Sequence, residues 1–128
     1  MQFDIITLFP NLFDSFVSES LIARARDKKI ITVHVHNLRD FTNDKHHTAD
    51  DKPFGGGAGM LMKIEPLVRA LGSIKKKKNT RIIFLSPAGK QFTQKKADGL
   101  AKKYDQLIFI CGRYEGVDAR IKHYIDEA

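Results

Sequence analysis

Leu107-Ile108-Phe109-Ile110-Cys111-Gly112-Arg113-Tyr114-Glu115-Gly116-Val117-Asp118 is the stretch that decides the fold. Residues 107–111 are apolar without a break, the pattern of a strand buried on both faces, which belongs to a parallel sheet covered by helices. At Gly112 the character changes to Gly-Arg-Tyr-Glu-Gly. In open α/β sheets, loops converge at the carboxyl ends of the strands and ligands bind there. Gly112 and Gly116 offer bare backbone, Tyr114 a face for stacking, and Glu115 a carboxylate able to bind a ribose hydroxyl, an ammonium group or a metal. Glu115, Asp118 and Arg120 suit a local salt-bridge cluster opening a helix equally well, and spacing does not separate the two readings.

Working outward, Arg81-Ile82-Ile83-Phe84-Leu85 reads as a second buried strand with a turn-rich exit, Ser86-Pro87-Ala88-Gly89-Lys90. Ala97, Leu100, Ala101 and Tyr104 mark one face of a helix from about Thr93, with lysines on the other. If the two strands are neighbours, their exit loops lie side by side. Upstream, residues 3–9 read as a first strand ending at Pro10. Leu12, Phe13, Phe16, Val17 and Leu21 then recur at helical spacing. They predict one amphipathic helix of roughly three or four turns, with Asn11 as N-cap and Arg24, Arg26, Lys28 and Lys29 at its carboxyl end. Ile31, Val33 and Val35 alternate with Thr32, His34 and His36, as in a strand with one wetter face. Residues 64–71 form a short helix with Pro66 in its first turn. The order is strand-helix-strand, a long connection, then helix-strand-helix-strand. It predicts an α/β fold with a mostly parallel sheet and helices on both faces.

Between residues 37 and 63 the periodicity disappears, and a connection this long inside a compact domain is usually functional or disordered. It holds Lys52-Pro53-Phe54-Gly55-Gly56-Gly57-Ala58-Gly59-Met60, where the glycines let a backbone approach another molecule closely. No Gly-Lys-Ser/Thr follows, and the glycine spacing does not fit the dinucleotide fingerprint. His46, His47, Asp50 and Asp51 are competent metal ligands, but adjacent pairs diverge and no metal-site spacing is present. A flexible polar loop is the better reading.

With 128 residues and 42% hydrophobic content the chain suffices for one domain with a real core. No apolar run reaches membrane-spanning length and no signal-peptide pattern is present, so a soluble, cytoplasmic protein is expected. The single cysteine, Cys111, reads as an inert core thiol. Twenty-two Lys and Arg against fifteen Asp and Glu give +7, which suits a polyanionic partner. The run Lys75-Lys76-Lys77-Lys78 alone reads equally well as a solvated loop.

Three stretches taken together resemble one family. Asp50-Asp51-Lys52-Pro53-Phe54-Gly55-Gly56-Gly57-Ala58-Gly59-Met60-Leu61-Met62-Lys63, Leu85-Ser86-Pro87-Ala88-Gly89-Lys90, and Ile110-Cys111 through Ala119-Arg120 occur in the order found in bacterial tRNA (guanine-N1)-methyltransferases of the TrmD type. The opening Phe3-Asp4-Ile5-Ile6-Thr7-Leu8-Phe9-Pro10-Asn11 resembles that family's start as well. The resemblance implies a SPOUT-type methyltransferase domain with a trefoil knot, working as a homodimer. It would transfer a methyl group from S-adenosylmethionine to N1 of the guanosine 3′ of the tRNA anticodon, with Mg²⁺ assisting. Leu85, Ser86, Pro87, Gly112, Arg113, Tyr114, Glu115 and Gly116 would line the S-adenosylmethionine pocket, and Glu115 would help place Mg²⁺. Gly55, Gly56, Gly57 and Gly59 would lie near cofactor and tRNA.

The chemistry accounts for such parts. N1 of guanine carries a proton and is a poor nucleophile, so the reaction calls for a base and for positive charge near O6. The family's chains continue through a second Gly-rich cofactor loop, a linker and a helical tRNA-binding domain that carries the expected base. Those parts have no counterpart up to Ala128. The expectation is an amino-terminal fragment of the methyltransferase domain with an incomplete knot, no catalytic residue of its own, and no activity alone. The competing readings are a non-catalytic basic RNA-binding or dimerisation module, and another SPOUT RNA methyltransferase.

Overall fold

The computed structural model describes residues 1–43, 45, 49–51, 61–112 and 117–128. Four parallel strands form the sheet: β1 (Gln2–Thr7), β2 (Thr32–Asn37), β5 (Thr80–Leu85) and β6 (Gln106–Cys111), in the order β2-β1-β6-β5. β6, from the deciding stretch, is central, pairing with β1 on one side and β5 on the other. That position explains its unbroken apolar run, because both of its faces are covered. Ile108 and Ile110 face the larger core, with Leu67, Ala70 and Leu71 of α3 (Ile64–Ser73). Leu107 faces the smaller core, with Leu100 of α4 (Gln94–Lys103). Helices thus lie on both faces, as the sequence pattern predicts.

Between β1 and β2 the expected single helix is broken. Pro10–Phe13 is a 3₁₀ turn with Pro in its first positions, followed by α1 (Asp14–Ser18) and α2 (Ser20–Asp27). Asn11 lies inside the 3₁₀ turn and caps nothing. Two local groups explain the break. The Ser18 hydroxyl donates to the Asp14 carbonyl, an i−4 bond of the kind that bends helices, and Glu19 turns extended. The Arg26 guanidinium then donates to the Val17 carbonyl at 2.6 Å, satisfying a group that a continuous helix would have bonded internally. Ser20 follows at φ 57°, a left-handed conformation costing roughly 1 kcal/mol in a non-glycine residue. No residue of α1 or α2 is buried; Leu12, Phe16 and Leu21 are 75%, 61% and 73% exposed.

The long connection contains more order than its composition suggests. Asn37 accepts from the Arg39 amide and caps a 3₁₀ turn, Leu38–Phe41, whose Leu38 is fully buried. β3 (Asp50–Asp51) and β4 (Leu61–Met62) pair antiparallel, and the Lys63 amide donates to the Ala49 carbonyl at 2.8 Å. Buried Ala49 and Met62 anchor this stem in the larger core. Part of the segment that reads as a loop is thus local pairing, in two-residue strands too short to show a period.

At the amino ends of the strands lies a polar cluster inside the sheet. Asp4 is 1% exposed and Gln106 fully buried. Gln106 Nε2 and Gln2 Nε2 donate to Asp4 Oδ2 at 2.8 and 2.9 Å, and His36 Nε2 lies 2.8 Å from Asp4 Oδ1. Gln106 Oε1 accepts from the Lys77 amide and the Thr80 hydroxyl, both at 2.8 Å. One glutamine therefore ties β1, β6 and the lysine run together. Lys76 Nζ donates to the Leu71 carbonyl at the end of α3. This part of the run is structural as well as solvated.

Candidate cofactor-binding site

β5 and β6 run side by side to their ends, where Leu85 pairs with Cys111. Ser86 and Gly112 therefore leave the sheet as neighbours, as the crevice argument requires. The Ser86 turn is tied internally: its hydroxyl accepts from the Ala88 amide at 3.1 Å and its carbonyl from the Gly89 amide at 3.1 Å. Leu85, half exposed at 48%, and Pro87 stand open at the rim. Gly112 is there for a steric reason. A Cβ on it would lie 3.1 Å from Phe84 Cε2 and Cζ and 3.4 Å from the Leu85 carbonyl oxygen. Phe84 is buried in the larger core and has little room to yield.

The stem of the glycine-rich motif meets the end of the motif that begins at Ile110. Met62 of β4 forms a parallel bridge with Val117, and the Asp118 amide donates to the Met62 carbonyl at 3.2 Å. The segment leaving the glycine-rich stretch thus runs beside the one returning from the Gly112 exit. Of the predicted site residues, Leu85, Ser86, Pro87 and Gly112 are brought together. Arg113, Tyr114, Glu115, Gly116, Gly55, Gly56, Gly57 and Gly59 lie outside the described residues, as do His46 and His47.

For Asp118 and Arg120 the salt-bridge reading holds. Arg120 Nε and Nη2 bond the two carboxylate oxygens of Asp118 at 3.0 and 2.6 Å. Asp118 also caps the 3₁₀ turn Ala119–His123 through the Arg120 amide. The Arg120 hydrogen bonds hold the Asp118 carboxyl below its ordinary range. Both charges are used locally. Cys111 is half-buried, and burial pushes its thiol pKa up, so the protonated, unreactive form persists at neutral pH. Among the described residues no group of three or more His, Cys, Asp or Glu side chains could hold a metal ion. No helix among them is long and apolar enough to cross a membrane.

An open cleft of about 1520 Å³ extends from Leu85, Ser86 and Pro87 along the outer side of β5 towards α4. Sequence reasoning missed its polar floor. Arg81 Nη2 and Lys96 Nζ lie 3.1 and 2.7 Å from Glu127 Oε2. Burial acts to raise the Glu127 pKa, and the bonds from Lys96 and Arg81 outweigh it, leaving the carboxyl below its ordinary value. The Phe84 amide donates to the Glu127 carbonyl at 2.9 Å, fastening the chain's last residues along β5. Lone charges far apart in sequence gave no signal of this triad.

The family model described as tRNA (Guanine-1)-methyltransferase TrmD matches residues 1–128. The tRNA (guanine-N(1)-)-methyltransferase of Carboxydothermus hydrogenoformans is 51% identical over 98% of this chain and 49% of its own length. That of Dictyoglomus turgidum is 50% identical, over 98% of this chain and 50% of its own. The crystal structure of tRNA (m1G37) methyltransferase from Aquifex aeolicus superposes with a TM-score of 0.87 at 31% identity, covering 98% of this chain and 57% of that one. The chain spans about half the length of the curated relatives it matches. On a family match over every residue and a shared four-strand parallel architecture, the chain belongs to the TrmD tRNA (guanine-1)-methyltransferase family.

Proposed function

We propose that residues 1–128 are the methyl-donor-binding part of a SPOUT-type methyltransferase domain, in an enzyme that methylates N1 of the guanosine 3′ of the tRNA anticodon. The observation that carries this reading is the convergence of the three motif stems, through the Leu85–Cys111 pair and the Met62–Val117 bridge. The described rim fits a nucleoside-like ligand: two adjacent strand ends, a tied Ser86 turn, and a Gly112 whose missing Cβ keeps the ends close. When bound, S-adenosylmethionine would supply an electrophilic sulfonium methyl for N1, whose proton would need a base. This chain's contribution is alignment, with Leu85, Ser86, Pro87 and Gly112 presenting backbone groups to the donor and Arg113, Tyr114, Glu115 and Gly116 completing that wall. Gly55, Gly56, Gly57 and Gly59 are the residues proposed to serve cofactor and tRNA, and Glu115 is the residue proposed to help hold Mg²⁺. The base belongs to the tRNA-binding domain of the whole enzyme. The enzyme acts in the cytoplasm as a homodimer, a state favoured by the exposed Leu12, Phe16 and Leu21, which offer apolar area worth covering.

The test joins residues 1–128 to the remaining half of the Carboxydothermus hydrogenoformans relative. The chimera is expected to move labelled methyl from S-adenosylmethionine to a tRNA with guanosine after the anticodon and not to one with adenosine there. Residues 1–128 alone are expected to give none. A chimera that binds S-adenosylmethionine yet methylates neither tRNA, or both equally, refutes the reading.

A further inference from the structure

We infer that the outer face of α4 is an RNA-docking surface, on which Lys95, Lys102 and Lys103 hold backbone phosphates beside the cofactor site; the choice of RNA rests on the function proposed above. Lys95, Gly99, Lys102 and Lys103 occupy positions i, i+4, i+7 and i+8 of α4 and so form one stripe. Next to the stripe, Leu100 is buried in the smaller core and fastens the helix to the sheet. The three lysines are exposed, and among the described residues none of them makes an ion pair. Of the neighbouring charges, Lys96 pairs with Glu127, while Asp98 accepts from the Gln94 amide at 2.9 Å and keeps its negative charge beside the stripe. The run at residues 75–78 differs, since Lys76 Nζ donates to the Leu71 carbonyl of α3 and the Lys77 backbone amide donates to Gln106 Oε1.

Gly99 lies within this stripe. Glycine inside a helix is destabilising relative to alanine. A Cβ there would meet nothing within 4 Å, so packing does not require glycine. What Gly99 leaves is bare helical backbone in the middle of the lysine stripe, where a bulky chain can come close. The stripe is also continuous with the site. Lys90, Phe92, Lys95 and Lys103 line the same cleft as Ser86 and Pro87, and Phe92 is 66% exposed. An exposed aromatic ring beside unpaired cations is the pairing that single-stranded nucleic acid uses, with stacking on one and phosphate on the other.

The test compares this chain with Lys95→Gln/Lys102→Gln/Lys103→Gln and with a charge-matched control, Lys28→Gln/Lys75→Gln/Lys78→Gln. Binding to unmodified tRNA is read by fluorescence anisotropy across a salt series, and S-adenosylmethionine binding by calorimetry. The α4 variant is expected to bind tRNA about tenfold more weakly. Its slope of log K against log salt should fall by about 2, at roughly 0.7–0.9 per lost phosphate contact. The control should stay within about threefold, and cofactor affinity should not change. Equal losses in both variants overturn the surface while leaving the proposed function standing. A chain that binds S-adenosylmethionine but no tRNA at low salt, or that prefers anionic phosphatidylglycerol vesicles to tRNA, overturns the RNA partner as well.

Discussion

Gly112→Val weakens S-adenosylmethionine binding by about 10- to 100-fold, read by calorimetry, with the fold retained. The magnitude follows from the space available. The added Cβ would sit 3.1 Å from two ring carbons of Phe84 and 3.4 Å from the Leu85 carbonyl oxygen, and two further methyls would follow. Overpacking of this kind costs about 1–3 kcal/mol. Phe84 is held in the larger core, so relaxation should move the exposed strand end instead of the ring. That displaces the Leu85 and Gly112 backbones, the surfaces proposed to meet the donor. Gly72→Ala is the control, because a Cβ at Gly72 meets nothing within 4 Å. Unchanged cofactor affinity in the Gly112 variant would remove this strand end from the site.

The second large effect is on stability, at the opposite end of the sheet. Asp4→Ala should cost about 3 kcal/mol, shifting the urea midpoint by about 2 M for a domain of this size. The loss exceeds that of one hydrogen bond because Gln106 Nε2 is fully buried and would lose its 2.8 Å acceptor, as would Gln2 and His36. Asp4→Asn keeps one oxygen for the two amides and should cost less than half as much. The same cluster gives a pH dependence. Burial acts to raise the Asp4 pKa; the bonds from His36, Gln106 and Gln2 outweigh it and hold the carboxyl below its ordinary value. A depressed carboxylate pKa contributes stability that is present above the unfolded value, about 3.9, and is lost as pH falls through the folded one. Stability of the wild-type chain to urea should therefore fall below about pH 4, and fall less in Asp4→Asn, where only the other depressed carboxyls, Asp118 and Glu127, still carry this dependence.

The elements that could be read in advance are those whose burial is set by neighbours close in pattern. β5 and β6 announce themselves as apolar runs because both faces are covered, and their exit turns follow from Ser86-Pro87 and Gly112. The helix break after Ser18 was hidden, because the apolar spacing from Leu12 to Leu21 is helical throughout. It is a serine hydroxyl and a distant Arg26 that redirect the backbone. Buried Asp4 was equally hidden: a carboxylate in an apolar strand tells nothing of the glutamine 102 positions away that satisfies it. At the site, adjacency of the β5 and β6 exits was inferable from parallel topology. The Met62–Val117 bridge was not, since two-residue strands carry no period. Assignment of Asp118 and Arg120 to a local ion pair needed their geometry, because the same residue types serve a ligand equally well.

The carboxyl ends of β5 and β6 are the proposed seat of the methyl donor. The most direct test of that placement is an amide chemical-shift titration of the ¹⁵N-labelled chain with S-adenosylmethionine. Saturable shifts are expected at Leu85, Ser86, Ala88, Gly89 and Gly112, with Gln2, Asp4 and Gln106 at the other end of the strands unmoved. Saturable shifts confined to any other surface, or none at millimolar cofactor, would contradict it.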